Sequence, residues 1–167
     1  MSESTKTELS KDVQSRVLKS AKFESSLSLG AYFAFGSEVR TDAIIDEALR
    51  LGKKVSLPKV EGEMIRFYEF SDRKNLVSGK FGIMEPQSSK EITDIDLIIV
   101  PGVAFDKEGY RLGYGKAYYD KYLSNISAYS IGLAYSFQVT DGFHRDPHDR
   151  KVDALATEKS LISFDAQ

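Results

Sequence analysis

Gly113-Tyr114-Gly115-Lys116 is the stretch of this sequence in which residue types and spacing carry the most chemistry. Two glycines one residue apart let the backbone turn sharply and present its N–H groups to an anion, and a lysine in the same turn adds a point charge. The third glycine of a dinucleotide fingerprint is missing, with Tyr118 in its place, and the spacing is not that of a Walker A loop. Arg111, two residues ahead, offers a planar fork for a phosphate. Asp120 follows at a distance suited to holding a cation against a phosphate at the helix start. Magnesium takes one or two carboxylates with phosphate oxygens and water, so a second acid is expected, and Asp153, between Val152 and Ala154, is the candidate. Glu38 lies just before Thr41, in a loop where an α/β sheet presents ligand contacts. Each has a plain structural alternative: an ordinary tight turn for the cradle, solvated charges for Arg111, Asp120 and Glu38.

Three other patterns do not hold up. His144 and His148 are four apart, but Arg145 stands where a zinc protease needs glutamate and Pro147 breaks any helix carrying both. Ser71-x-x-Lys74 lacks the partner motifs of a penicillin-recognising enzyme, and Asn125-Ile126-Ser127 is a glycosylation sequon without a secretory route.

The elements around the cradle read as alternating strands and helices. Residues 1–9 are polar and without period, which predicts a flexible tail. Ser10 is expected to cap a first helix carrying Val13, Val17, Leu18 and Ala21. Leu29 to Phe35 reads as a buried strand. Thr41 opens a helix with Ile44, Ile45, Ala48 and Leu49 on one face, stopped at Arg50 and Gly52. Val55 to Leu57, ended by Pro58, and Ile65 to Phe70 read as a hairpin. Phe81 to Pro86 reads as a loop. Leu97 to Val100 is a continuous apolar strand stopped by Pro101, and the cradle then leads into a helix expected to begin near Gly115, with Tyr118, Tyr119, Tyr122 and Leu123 as its apolar face. A strand follows at Ser130 to Ala134, with short apolar segments at Ala154 to Ala156 and Leu161 to Phe164. The pattern predicts a three-layer α/β/α domain over residues 10–167 with a mainly parallel sheet, whose ligands gather at the carboxyl ends of the strands.

Composition bounds the rest. The 167 residues suffice to bury roughly 70% of the unfolded surface in one core. With 23 basic against 25 acidic residues there is no basic field for a nucleic-acid backbone. No cysteine, long apolar run or charged-then-apolar leader is present, so a disulfide scaffold, a membrane span and a secretory signal are not expected, and the cytoplasm is the expected location.

At these residues the chain closely resembles the 5-formyltetrahydrofolate cyclo-ligase (methenyltetrahydrofolate synthetase) family. The core of the likeness is "PGVAFDKEGYRLGYGKAYYD", from Pro101 to Asp120, supported in order by "GSEVRT", "KKVSLPKV", "FGIMEP" and "HDRKVDALATE". The resemblance implies a ribose-phosphate-isomerase and CoA-transferase-like α/β/α fold. It also implies ATP- and magnesium-dependent cyclisation of 5-formyltetrahydrofolate to 5,10-methenyltetrahydrofolate, with release of ADP and phosphate. Carried over by position, Arg111, Leu112, Gly113, Tyr114, Gly115, Lys116, Ala117, Tyr118 and Tyr119 would hold the ATP, with Lys116 and Arg111 as the catalytic cations. Phe33 and Glu38, with Tyr114, Gly115, Lys116, Ala117 and Tyr118, would meet the folate, and Asp120 and Asp153 would ligate magnesium. The alternative class is a folate- or nucleotide-binding paralogue without turnover. Two departures stand out. Family members usually begin with a helix carrying a Lys-x-x-x-Arg pair, whereas Lys11 and Arg16 here are five apart. Ala117 occupies the place of a common third cradle glycine, a change a helix residue is expected to tolerate.

Overall fold

The computed structural model describes residues 1–164. Seven strands form the central sheet in the order β12-β11-β9-β6-β1-β2-β3. Its interior strands β1 (Ser28–Gly30), β2 (Lys54–Glu61), β6 (Leu97–Val100), β9 (Tyr129–Leu133) and β11 (Ala154–Ala156) run parallel to their neighbours. The outer strands β3 (Met64–Glu69) and β12 (Leu161–Ser163) pair antiparallel. Helices flank a mainly parallel sheet, as the alternating sequence pattern predicts.

Strand β6 shows how one apolar run serves both faces of the sheet. Side chains alternate along a strand. Leu97 and Ile99 therefore join the core under α1 (Glu3–Leu18) and α3 (Asp42–Arg50), while Ile98 and Val100 join a second core with Phe67, Phe105, Leu155 and Leu123 of α4 (Tyr118–Leu123). A short helix, α2 (Ala21–Ser25), leads from α1 into β1. Two small ribbons complete the fold: β4 (Leu76–Ser78) with β5 (Met84–Pro86), and β7 (Ala104–Asp106) between β8 (Arg111–Leu112) and β10 (Val139–Thr140).

The structure departs from the sequence reading in several places. The tail expected over residues 1–9 is instead largely helical: α1 starts at Glu3, capped by the Ser2 hydroxyl, which accepts the Thr5 N–H at 3.1 Å. Its inner stripe is concealed because two members are polar. Ser10, expected as a cap, is buried mid-helix against the Tyr135 hydroxyl at 3.1 Å, and Gln14 Oε1 accepts the Ala43 N–H at 2.8 Å and the Ile44 N–H at 3.3 Å. Gln14 thus caps α3 from another helix. The expected cap, Thr41, makes no cap bond because its hydroxyl donates to the Tyr32 carbonyl at 2.7 Å.

Strand β1 ends at Gly30, so Tyr32 to Phe35 leave the sheet instead of extending it. Strand β2 runs on through Pro58, because there the face of the strand that lacks an N–H points away from β3, past the end of β1. The helix expected near Gly115 starts only at Tyr118. Ala117 precedes it in the left-handed region at φ 55°, so it is not the ordinary helix residue that the sequence reading expected.

Candidate functional site

Parallel strands place all their carboxyl ends on one edge of the sheet, and the chain opens there into a cavity of about 410 Å³. Tyr32, Phe33 and Phe35 beyond β1 and Pro101 and Gly102 beyond β6 form one wall. Phe81, Ile83, Met84 and Glu85 of the β4–β5 ribbon form another, and Arg111, Tyr114, Lys116, Ala117, Tyr118 and Tyr119 close it. Most of the residues singled out from the sequence therefore meet in one place: Phe33, Glu38, Arg111, Tyr114, Lys116, Ala117, Tyr118 and Tyr119 all line the cavity. Leu112, Gly113 and Gly115 do not line it, and their part in the cradle is backbone shape. A Cβ on Gly113 would come within 2.5 Å of the Arg111 guanidinium, and Gly115 sits at φ +88°, a conformation glycine adopts without cost.

Arg111 is the most telling residue of this wall. Its side chain is only 7% exposed, its carboxylate neighbour Asp120 stands 3.6 Å away, and its buried Nε has no partner. Burial pulls its pKa below the ordinary arginine value, against the opposing charge of Asp120. Arginine stays charged regardless, so the group is a cation held partly out of water and short of hydrogen-bond acceptors. A buried cation in that state at a cavity wall is a candidate contact for an anion. The guanidinium also lies 5.3 Å from the Tyr119 ring centre. Burial, and then the charge of Glu38, push the Tyr119 and Tyr114 phenols up, so both remain O–H donors. Lys116 stands exposed at the rim.

Glu38 lines the same cavity and acts by its charge on Tyr114 and Tyr119. Its Oε2 accepts the Phe35 N–H at 2.8 Å. Burial raises its pKa, while that hydrogen bond and the charge of Lys6 hold it down. Lys6 itself, on α1, donates to the Gly36 carbonyl. It is a basic residue at the site that the sequence reading missed, because the helix carrying it read as a tail. Neither Lys11 nor Arg16 reaches the cavity: Lys11 is exposed, and Arg16 Nη2 donates to the Glu158 carbonyl at 3.1 Å. Tyr32 and Glu85 were also missed as lining residues. Glu85, whose Oε1 accepts the Val60 N–H at 3.2 Å, sits within the "FGIMEP" segment that signalled it only by resemblance.

Asp120 and Asp153 are not brought together beside the cradle. Asp120 Oδ1 accepts the Arg150 N–H at 3.1 Å and its Oδ2 faces Arg111. Asp153 precedes β11, at the amino edge of the sheet, where its Oδ2 accepts both the N–H and the hydroxyl of Ser130 at 2.7 and 3.0 Å. It lines a separate hollow with Lys22, Asp96, Tyr129 and Arg150. Neither aspartate lines the cavity, so its lining lends no support to the magnesium pair that the resemblance implies. No group of three or more His, Cys, Asp or Glu side chains that could hold a metal occurs among the described residues.

The model of the 5-formyltetrahydrofolate cyclo-ligase family matches residues 1–158. The chain belongs to that family. A probable 5-formyltetrahydrofolate cyclo-ligase from Schizosaccharomyces pombe is 38% identical over 145 residues, 75% of this chain and 71% of the relative. One from Caenorhabditis elegans is 34% identical over 168 residues, 90% and 82% of the two chains. Among solved structures, the Aquifex aeolicus 5,10-methenyltetrahydrofolate synthetase superimposes with a TM-score of 0.88 at 40% identity, covering 100% of this chain and 87% of that one. Within the cyclo-ligase family the cavity wall from Pro101 to Tyr119 is thus the segment that carried the resemblance. No helix among the described residues is long and apolar enough to cross a membrane.

Proposed function

We propose that the chain catalyses the ATP-dependent closure of 5-formyltetrahydrofolate to 5,10-methenyltetrahydrofolate, releasing ADP and phosphate. The observation that carries this reading is one cavity whose lining includes Glu38 together with Arg111 and Lys116. A pterin offers adjacent N–H donors that one carboxylate accepts side by side. A triphosphate is the polyanion that a buried, under-partnered arginine and a rim lysine would hold together. The apolar and aromatic lining between them has the character and size of a small-molecule site.

The formyl oxygen attacks the γ-phosphorus and ADP departs. The neighbouring secondary amine then adds to the activated formyl carbon, loses its proton, and phosphate leaves as the bridge forms. No covalent bond to the protein is needed, so the residues act by position and charge. Glu38 orients the pterin, Arg111 and Lys116 offset charge on the moving phosphoryl group, and the Tyr114 and Tyr119 hydroxyls remain available as donors. Magnesium would accompany the triphosphate and offset its charge, and Asp120, in the first turn of α4, would be a carboxylate to hold it. Aromatic walls keep water from the activated intermediate.

The direct test is spectrophotometric: purified protein, 5-formyltetrahydrofolate and magnesium-ATP should accumulate the methenyl chromophore, and omission of ATP should abolish it. Tight folate binding with no product at high enzyme concentration would favour the binding paralogue instead, a reading to which the positions of Lys11 and Arg16, away from the cavity, lend support.

A further inference from the structure

Residues 141–152 form an irregular segment between β10 and β11, outside the cavity wall, yet they grip both ends of the cradle. Arg145 makes the first grip. Its Nε and Nη2 donate to Asp106 Oδ2 at 3.1 and 2.6 Å, its Nη1 donates to Glu108 Oε2 at 3.0 Å, and its guanidinium lies 4.0 Å from the Tyr110 ring centre. Asp106 is fully buried, and its other oxygen accepts the N–H groups of Glu108 and Tyr110 at 2.9 and 3.0 Å. One carboxylate therefore shapes the β7–β8 turn from inside while the arginine fixes it from the neighbouring segment. Lys107 pairs with Asp141 at 2.5 Å, and the Val152 N–H donates to the Gly109 carbonyl at 2.9 Å. The second grip is the Arg150 N–H on Asp120, in the first turn of α4.

The cradle from Arg111 to Ala117 is thus strung between two anchors, the β7–β8 turn and the start of α4, and one segment holds both. Arg111 leaves the first anchor and meets Asp120 at the second. A shift of one anchor relative to the other moves the guanidinium and the backbone of the glycine turn together. Ionic contacts to a buried, fully hydrogen-bonded carboxylate are geometrically restrictive in a way that exposed pairs are not.

We infer that Arg145 is a positioning residue for the triphosphate: by locking segment 141–152 onto the β7–β8 turn it sets the separation of Arg111 from α4, without touching a reacting atom. The inference rests on the proposed binding of ATP at the cradle. It assigns a role to a side chain outside the "HDRKVDALATE" segment that supported the family likeness.

The test uses the full chain with Arg145→Met and Arg145→Lys, measured for methenyl formation and for amide hydrogen exchange. Arg145→Met should raise the KM for ATP about tenfold, the equivalent of roughly 1.4 kcal/mol, with the KM for folate held within about twofold. Amides of residues 111–117 should exchange faster, those of β6 and β9 should not, and saturating ATP should restore the protection. Arg145→Lys, which keeps the charge but loses the fork, should fall between, and it carries the test alone if the methionine variant does not fold. A melting temperature that drops with KM for ATP unchanged, or both KM values rising together, would overturn the inference. Absence of product from the wild-type chain would instead count against the proposed activity. In that case unchanged exchange over 111–117 in Arg145→Met would still refute the latch.

Discussion

The two edges of the sheet use the same residue types to opposite ends. At the amino edge, Asp96 Oδ2 accepts the N–H groups of Leu27 and Ser28 at 2.7 and 3.1 Å, and Asp153 does the same service for Ser130. Each carboxylate ties the start of one parallel strand to its neighbour and satisfies backbone donors that the ladder leaves free. At the carboxyl edge, Glu38 has a single backbone donor and Arg111 a buried Nε with none. Charges used up by the backbone hold the fold, whereas charges left short of partners at the mouth of a cavity are available to a ligand. Sequence alone already sets Asp153 ahead of its strand and Glu38 after one; the structure adds which backbone donors each carboxylate meets.

The sharpest way to probe that contrast is at the rim. Lys116→Ala should lower turnover by about 10³-fold, the order associated with a cation on a transferring phosphoryl group, while weakening ATP binding far less. Equal losses in turnover and affinity would reduce Lys116 to a binding contact. Glu38→Gln comes next: removing a charged acceptor costs about 2 kcal/mol, so the KM for folate should rise about thirtyfold while the KM for ATP stays near its wild-type value.

The same carboxylate predicts a pH dependence. Its pKa in the folded chain is raised by burial above the ordinary 4.5, so the folded state holds this proton more tightly than the unfolded state. Its contribution to stability is complete below 4.5 and is lost as pH rises through the raised value. Over that window the pterin-accepting carboxylate appears, so folate affinity should climb while the stability of the free protein declines. Lys6 faces Glu38 with a positive charge and Tyr32, Tyr114 and Tyr119 face it with phenols. Lys6→Met removes the one neighbouring charge that lowers this pKa, and should move the acid limb of folate binding to higher pH. An unmoved limb, or one that persists in Glu38→Gln, would assign the titration to another group.

At the opposite edge the expectation reverses. Asp153→Ala removes two hydrogen bonds to a carboxylate and should cost about 2 kcal/mol of stability, read as a lower midpoint in denaturant, with both KM values unchanged. Loss of activity at unchanged stability would restore Asp153 as a metal ligand and break the distinction between the edges.

How much of this was legible beforehand depended on whether the signal was local. Strand β6 and helix α3 announce themselves, one by an unbroken apolar run and the other by a clean helical stripe. The cradle was legible as a constellation, and the cavity gathers Phe33, Glu38 and most of Arg111 to Tyr119. The start of helix α1 was misplaced because Ser10 and Gln14 fill buried positions of its stripe with polar groups whose partners, Tyr135, Ala43 and Ile44, lie far along the chain. Pro58 read as a strand end because its tolerance depends on where β1 stops. What the sequence did not show for Asp153 is its partner Ser130, on a neighbouring strand 23 residues away.

The smallest effect concerns backbone strain in the cavity wall. Two non-glycine residues, Phe81 at φ 61° and Ala117 at φ 55°, adopt left-handed conformations, and both line the same cavity. An alanine there costs about 1 kcal/mol relative to glycine, which has no Cβ to collide with its own carbonyl. Part of that gain is returned through the greater freedom of glycine in the unfolded chain. Ala117→Gly should therefore stabilise the protein by at most about 1 kcal/mol, seen as a small rise in denaturant midpoint. Because Ala117 joins the cradle to α4, the substitution should also loosen the hinge between Lys116 and Tyr118. A midpoint that falls would mean that the left-handed turn is held by the surrounding cavity wall more firmly than the local backbone preference opposes it.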